Sequence, residues 1–121
     1  MALVARAVSR NQWASARKMR RVADLVRGKT VGEALNVLHF SPSPQSMRIE
    51  KTVRSAMANL LEKGDAARLV EDDVVISKIF VDEGTIYKRV QPRAMGRAFR
   101  IRKRTCHIAV EVSAAVETRK A

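Results

Sequence analysis

The side chains that could perform catalysis are few and widely spaced in this sequence. Cys106 and His107 are adjacent, and this pairing could indicate a nucleophile with its base, or two metal ligands. Cys106, however, falls on the apolar face of a predicted strand, where a buried cysteine is common. His39 lies far away in the sequence, without the spacing of a second ligand.

Acidic side chains give no better site. The run at 71–73 could bind a cation, but charge at the entry to a strand more simply favours solubility. The strongly basic part of the chain contains no Asp/Glu pair and no His pair that could hold a metal ion or an attacking water. The sequence therefore predicts no catalytic residue, no metal site, no cofactor and no enzyme.

Basic side chains are the chemistry that this sequence does offer. The 121 residues contain 24 Lys+Arg against 12 Asp+Glu, which gives a net charge of +12 and a pI of about 11.1. Such an excess repels itself and favours a partner of opposite charge. A basic domain of this kind is typical of nucleic-acid binding, and its arginines suit phosphate oxygens and stack on bases. The sequence indicates a structural protein that binds a polyanion, with RNA the favoured one.

The positive charge is concentrated in two blocks. Residues 1–30 hold eight basic side chains and one acidic one, and residues 84–107 hold eight basic side chains and no acidic one. Residues 31–83 are slightly acidic, with six basic and nine acidic side chains. A charge run is often only a solvated face, and that reading stays open for the first block. Over 84–107 the complete lack of acid favours a binding role.

Length and composition limit the class of protein. The length suits one domain, and 46% hydrophobic residues are too many for a disordered basic tail. One cysteine excludes an intrachain disulfide and a cysteine-based zinc site, which agrees with a reducing compartment. No apolar run reaches the roughly 20 residues of a membrane helix. The N-terminus lacks the pattern of a signal peptide, so we expect a cytoplasmic protein without a membrane partner.

Hydrophobic spacing and capping residues predict the elements. We expect a short strand at 3–8, an acidic connector over 65–73, and strands at 74–81 and 105–112. The first helix would be capped by Ser15, end at Gly28 and bury Met19, Val22, Ala23 and Val26, and the second would open at the Thr30/Glu33 capping box and carry Ala34, Leu35, Val37 and Leu38. The third would run from Pro44 to about Lys63 and bury Met47, Val53, Ala56, Met57, Leu60 and Leu61. Gly64 would end the third helix. In the last strand Cys106, Ile108, Val110 and Val112 would share one face.

The segment between these two strands predicts a long basic arm. Pro92 and Gly96 bracket its one convincing turn, so we expect an antiparallel hairpin over about 74–91 and 97–112, with its tip at 92–96. Each leg would reach about 50 Å, which is more than a domain of this size can cover. The far part must therefore lie against a phosphate-rich partner. Tyr87 is expected to contact RNA, and Trp13 either stacks on a base or packs against the core.

Several motifs, in collinear order, resemble the family of the bacterial large-ribosomal-subunit protein twenty-two. They are Ala16-Arg-Lys-Met-Arg-Arg-Val-Ala-Asp-Leu-Val-Arg-Gly-Lys29; Val81-Asp-Glu-Gly84, followed by Lys88-Arg89; Pro92-Arg-Ala94 with Gly96-Arg-Ala98; and Lys103-Arg-Thr105 with His107-Ile108. The resemblance extends over about residues 4–112. The sequence departs from the family at three positions, with Ala16 for proline, Thr85 for proline, and Met95 for a basic residue at the tip.

This resemblance implies an α+β fold, with three helices packed on a small antiparallel sheet and a long protruding basic β-hairpin. Residues 1–112 would form one domain and 113–121 a flexible tail. The resemblance further implies a structural protein of the ribosome that binds 23S rRNA and contributes to early subunit assembly. Its hairpin would lie along the wall of the exit tunnel, and its partners would include neighbouring ribosomal proteins and the nascent polypeptide.

The resemblance also assigns site residues. The rRNA-binding set would be Arg17, Lys18, Arg20 and Arg21 on the first helix, with Lys88, Arg89, Arg93, Arg97, Arg100, Arg102, Lys103 and Arg104 on the arm. The tunnel-lining tip would be Pro92, Arg93, Ala94, Met95 and Gly96. Two rival hypotheses are a DNA-bending protein with a proline-tipped arm and a nuclease. Such DNA-bending proteins are dimers, whereas one continuous core needs no second copy, so no homo-oligomer is expected.

Overall fold

The computed structural model describes residues 2–63 and 73–115, and its fold is the predicted α+β arrangement. Three helices pack on one face of a three-stranded antiparallel sheet, from which a long hairpin extends. The elements are β1 (Ala2–Gln12), α1 (Ala16–Val26), α2 (Val31–Phe40), α3 (Ser46–Leu61), β2 (Val74–Pro92) and β3 (Ala98–Ala115). The predicted helix end at Gly64, the connector except Asp73, and residues 116–121 lie outside the described residues.

The sheet is built around β3. The strand order is β1-β3-β2, and both outer strands pair with β3 in antiparallel register. The predicted alternation along β3 is confirmed, because Cys106, Ile108, Val110 and Val112 are each 0% exposed. The strand continues to Ala115, where Ala114 pairs with Leu3 and Val74, so the segment predicted as a tail from 113 begins within the sheet.

The first strand is longer than the predicted 3–8. Its N-terminal half pairs regularly with β3, and the register shifts between Ser9 and Gln12, where Asn11 has a φ of 57°. The backbone N–H of Asn11 donates to Nδ1 of His107, 3.1 Å away. The polar residues 10–12 continue the strand because β3 offers β1 a pairing partner as far as Cys106.

The first two helices follow the capping signals. Ser15 takes the extended N-cap backbone before α1, although its hydroxyl makes no capping bond, and Gly28 ends the helix with a φ of 79°. Thr30 Oγ1 accepts the backbone N–H of Glu33 at 3.3 Å, as the capping box predicts. Both helices bury the side chains that the sequence assigned to the core, with Val37 only partly buried.

The third helix differs from the prediction in its start and in its buried stripe. It begins at Ser46 rather than Pro44, because Ser46 is buried and its hydroxyl and N–H both donate to the Ser43 carbonyl. Met47 and Leu61, both predicted to be buried, are 62% and 39% exposed. The buried side chains are Ser46, Ile49, Thr52, Val53, Ala56, Met57 and Leu60. Met47 and Leu61 each lie one position outside this stripe, about 100° around the helix.

Side chains from the helices cover both edges of the sheet. On β2, Arg20 donates to the Val81 carbonyl and Arg27 donates to the Ile79 carbonyl. On β1, the Asn59 amide donates to the Arg6 carbonyl, and Lys63, just after α3, donates to the Val4 carbonyl. Exposed edges invite pairing with other chains, so these side chains protect the sheet against that pairing.

Candidate nucleic-acid interface

The arm, residues 84–104, begins where the sheet loses its first strand. The last pair between β1 and β3 joins Gln12 and Cys106, and beyond it β2 and β3 continue as a two-stranded ribbon. None of the arm's side chains is buried. The ribbon therefore contributes nothing to the core, and an isolated two-stranded ribbon is only marginally stable in water.

The tip lies where the sequence predicted it. The structure places Pro92, Arg93, Ala94, Met95 and Gly96 at the far end of the arm, and the Arg93 N–H donates to the Arg97 carbonyl at 2.7 Å. Met95 and Gly96 both take the left-handed conformation, with φ of 66° and 69°. Met95 is 94% exposed, so the tip presents an apolar side chain with nothing packed on it.

The strand register gives the arm two chemically different faces. Residues that oppose each other in an antiparallel pair lie on the same face, and neighbours along a strand alternate. The cationic face consists of Ile86, Lys88 and Val90 with Arg100, Arg102 and Arg104, and the aromatic face consists of Tyr87, Arg89 and Gln91 with Phe99, Ile101 and Lys103. The sequence analysis did not separate these faces, although pairing the strands about the predicted tip would have done so.

The arm carries positive charge without a counter-charge. Its eight cations, Lys88, Arg89, Arg93, Arg97, Arg100, Arg102, Lys103 and Arg104, are all exposed. No ion pair among the described residues includes any of them. Lys88 lies directly opposite Arg102, and like charges in that position destabilise a sheet. An anionic partner, such as a row of phosphates, would remove this repulsion.

The four cations predicted on α1 do not have equal freedom. Arg17, Lys18 and Arg21 are exposed, and within the described residues they have no hydrogen-bond or carboxylate partner. Arg20 instead binds the Val81 carbonyl through Nε at 3.1 Å and Nη2 at 2.9 Å. Its guanidinium is thus partly engaged in holding α1 on β2, and no local sequence pattern indicates this tether.

The start of α1 lies at the root of the arm. Arg20 contacts Val81, three residues before Gly84, and Trp13, just ahead of α1, stacks on Tyr87. The two basic blocks of the sequence therefore meet in space. One of the two sequence interpretations placed Trp13 against the core. That interpretation is wrong, because Trp13 is 56% exposed.

Cys106 and His107, which the sequence analysis considered for catalysis, both lie within the sheet on β3. Cys106 is buried, and burial raises the pKa of its thiol above 9.0, although the nearby Arg48 acts in the opposite direction. A cysteine with a raised pKa holds little thiolate and is a poor nucleophile. In the described ranges, no three side chains of the metal-binding types form a group that could hold an ion.

No helix in the described parts of the chain is long and apolar enough to cross a membrane.

Comparison with known proteins agrees with this geometry. The sequence profile of the family described as ribosomal protein L22p/L17e matches residues 7–113 of the 121. That match includes most of the sheet, all three helices and the complete arm, and it favours neither the DNA-bending nor the nuclease hypothesis. The family is one of structural ribosomal proteins rather than enzymes, and this chain belongs to it: it is an rRNA-binding member of the ribosomal protein L22p/L17e family, a constituent of the large ribosomal subunit.

Proposed function

We propose that this protein binds 23S rRNA, contributes to early assembly of the large subunit, and lays its arm along the wall of the polypeptide exit tunnel. The observation that carries the proposal is the arm itself, with eight exposed cations, no acidic residue and no buried side chain. Family membership gives the setting, since the partners of such a chain are rRNA and neighbouring ribosomal proteins. The protein would act in the cytoplasm as part of the ribosome.

The arm would bind RNA mainly through phosphates. Each cation that neutralises a phosphate releases counterions, so the affinity should fall steeply as salt is raised. The cationic face offers four such groups, and the opposed pair of Lys88 and Arg102 could bridge phosphates on either side. Because RNA relieves repulsion within the arm, binding and ordering of the arm would support each other, which suits an assembly role.

The body and the tip would have separate roles. At the body, Arg17, Lys18 and Arg21 offer free side chains to rRNA, and Arg20 offers those guanidinium N–H groups that Val81 does not use. At the tip, Arg93 and Arg97 would contact rRNA, while Pro92, Ala94, Met95 and Gly96 would face the nascent polypeptide. Met95 would give that contact an apolar character.

Removing the two tip arginines tests this proposal. Arg93→Ala with Arg97→Ala should leave the melting temperature nearly unchanged, because both side chains are exposed and the tip hydrogen bond joins backbone atoms. The variant should be lost from large subunits during sedimentation in high salt, where the native chain remains. Lys51→Ala with Lys78→Ala removes the same charge from exposed positions on α3 and β2 and serves as the control.

Two results would contradict the proposal. A large fall in melting temperature would show that the tip supports the fold. Release of the native chain itself from large subunits, under salt that retains other integral proteins, would show that the arm is not built into the subunit.

A further inference from the structure

The only tryptophan and the only tyrosine of the chain stack on each other at the surface. The ring centroids of Trp13 and Tyr87 are 5.3 Å apart, with 29° between the planes. Trp13 is 56% exposed and Tyr87 is 40% exposed, although large aromatic side chains are usually among the more buried. A pair that only completed the core would not leave so much of both rings in water.

The tryptophan is held by its surroundings. It directly follows Gln12, whose side-chain oxygen accepts a hydrogen bond from Nη1 of Arg48 at 3.1 Å. The Ala14 N–H donates to the Gln12 carbonyl at 2.8 Å, which forms a tight turn around Trp13. An exposed ring with a fixed backbone and a stacked neighbour loses little conformational freedom when a further flat group binds to it.

Cations surround this pair. The guanidinium carbon of Arg89 lies 6.0 Å from the centre of the Tyr87 ring, and Lys103 opposes Tyr87 across the arm. Flat rings beside exposed cations are the chemistry that binds single-stranded nucleic acid, because bases stack on the rings while phosphates meet the charges. Phe99 and Ile101 extend the apolar part of the same face.

We propose that Trp13 and Tyr87 form a stacking platform for an unpaired nucleobase of the bound RNA, with Arg89 and Lys103 binding the phosphates next to it. This inference rests on the proposed function, since it presumes that the partner is RNA. It adds a division of labour to it. The cationic face would bind the RNA backbone irrespective of its pairing, whereas the platform would require a base that has left its helix.

Two single strands of equal length, one with bases and one without, separate these roles. The full chain is titrated with a short labelled oligoadenylate and with an abasic strand of equal length, which carries the same phosphates. Trp13 fluorescence reports on the platform without ambiguity, because the chain has no second tryptophan. We expect the oligoadenylate to quench this fluorescence, and the abasic strand to bind without quenching it.

Variants then assign the affinity, measured as anisotropy of the labelled strand. Trp13→Ala should weaken oligoadenylate binding about tenfold and abasic binding hardly at all, since a stacked base contributes about 1–3 kcal/mol and 1.4 kcal/mol corresponds to tenfold. Trp13→Phe keeps a ring and should recover most of the affinity. Lys88→Gln with Arg102→Gln, on the cationic face, should weaken both strands equally.

The outcomes that overturn the platform differ from those that overturn RNA binding. If the chain binds the two strands with equal affinity, and Trp13→Ala changes neither affinity, the platform is refuted while RNA binding stands. A weakening of both strands by Trp13→Ala, together with a lower melting temperature, would make the stack a brace for the arm and would also remove the platform. Binding of neither strand would contradict the proposed function itself.

Discussion

Gly84 lies in a closely packed place at the root of the arm. A Cβ at this position would lie 2.6 Å from Oγ1 of Thr105 and 3.2 Å from the His107 ring. Thr105 is 3% exposed and cannot easily move, and its hydroxyl donates to the Thr85 carbonyl at 2.7 Å. We therefore predict that Gly84→Ala displaces the Thr105 side chain and breaks this hydrogen bond.

The magnitude follows from three contributions. Forcing an extra methyl into a packed site costs about 1–3 kcal/mol, and losing the hydrogen bond costs about 1 kcal/mol. Alanine returns about 0.5–1 kcal/mol, because glycine loses more backbone freedom on folding. The net loss is about 2 kcal/mol of unfolding free energy. With an unfolding entropy of about 2.1 cal/mol/K per residue over 121 residues, the melting temperature should fall by about 8 °C.

Thermal unfolding of four chains tests this reasoning. They are the native chain, Gly84→Ala, Thr105→Ala and the double variant. Thr105→Ala alone should cost about 1 kcal/mol through the lost hydrogen bond. In the double variant the hydroxyl that would clash is absent, so adding Gly84→Ala should cost much less than it does in the native background. Additive effects of the two substitutions, or an unchanged melting temperature for Gly84→Ala, would refute the close approach as its cause.

Two further predictions concern the body. Burial raises the pKa of the Cys106 thiol in the folded chain above the ordinary cysteine pKa of 9.0. The stability that the neutral thiol contributes is therefore complete below pH 9.0 and is lost as the pH rises through the raised pKa. The urea midpoint should thus fall above about pH 9 more in the native chain than in Cys106→Ala; parallel pH profiles would oppose this. Arg20→Ala should lower the unfolding free energy by about 1 kcal/mol, since it frees the Val81 carbonyl at the edge of β2, whereas Arg17→Ala should change it by less than about 0.5 kcal/mol in urea unfolding. Equal effects of the two substitutions would contradict the tether.

The predictions from sequence succeeded where the signal was local. The capping box at Thr30, the alternation around Ile108 and the turn at 92–96 each depend on neighbouring residues, and the structure confirms them. The stripe of α3 was wrong at its ends, because Met47 and Leu61 adjoin buried positions and are themselves apolar. A helical period read from a single sequence does not separate such neighbours.

The features that could not be predicted depend on contacts between distant residues. The length of β1 is set by its pairing with β3. The tether of Arg20 requires the position of Val81, and the exposure of Trp13 requires the position of Tyr87. The basic segment was predicted to be a binding arm from its composition, but its two faces emerge only when β2 and β3 are placed in register.

The separation of the arm from the core has a consequence for how this chain can change. No side chain between residues 85 and 104 is buried, so substitutions there scarcely alter the stability of the free protein. Selection on the arm would therefore act mainly through its partner, whereas selection on the body would act through folding as well. Arm residues are free to follow changes in the partner one at a time, and no compensating change in the core is needed. Met95 illustrates this freedom, because it lies 94% exposed at the tip while the fold beneath it is complete.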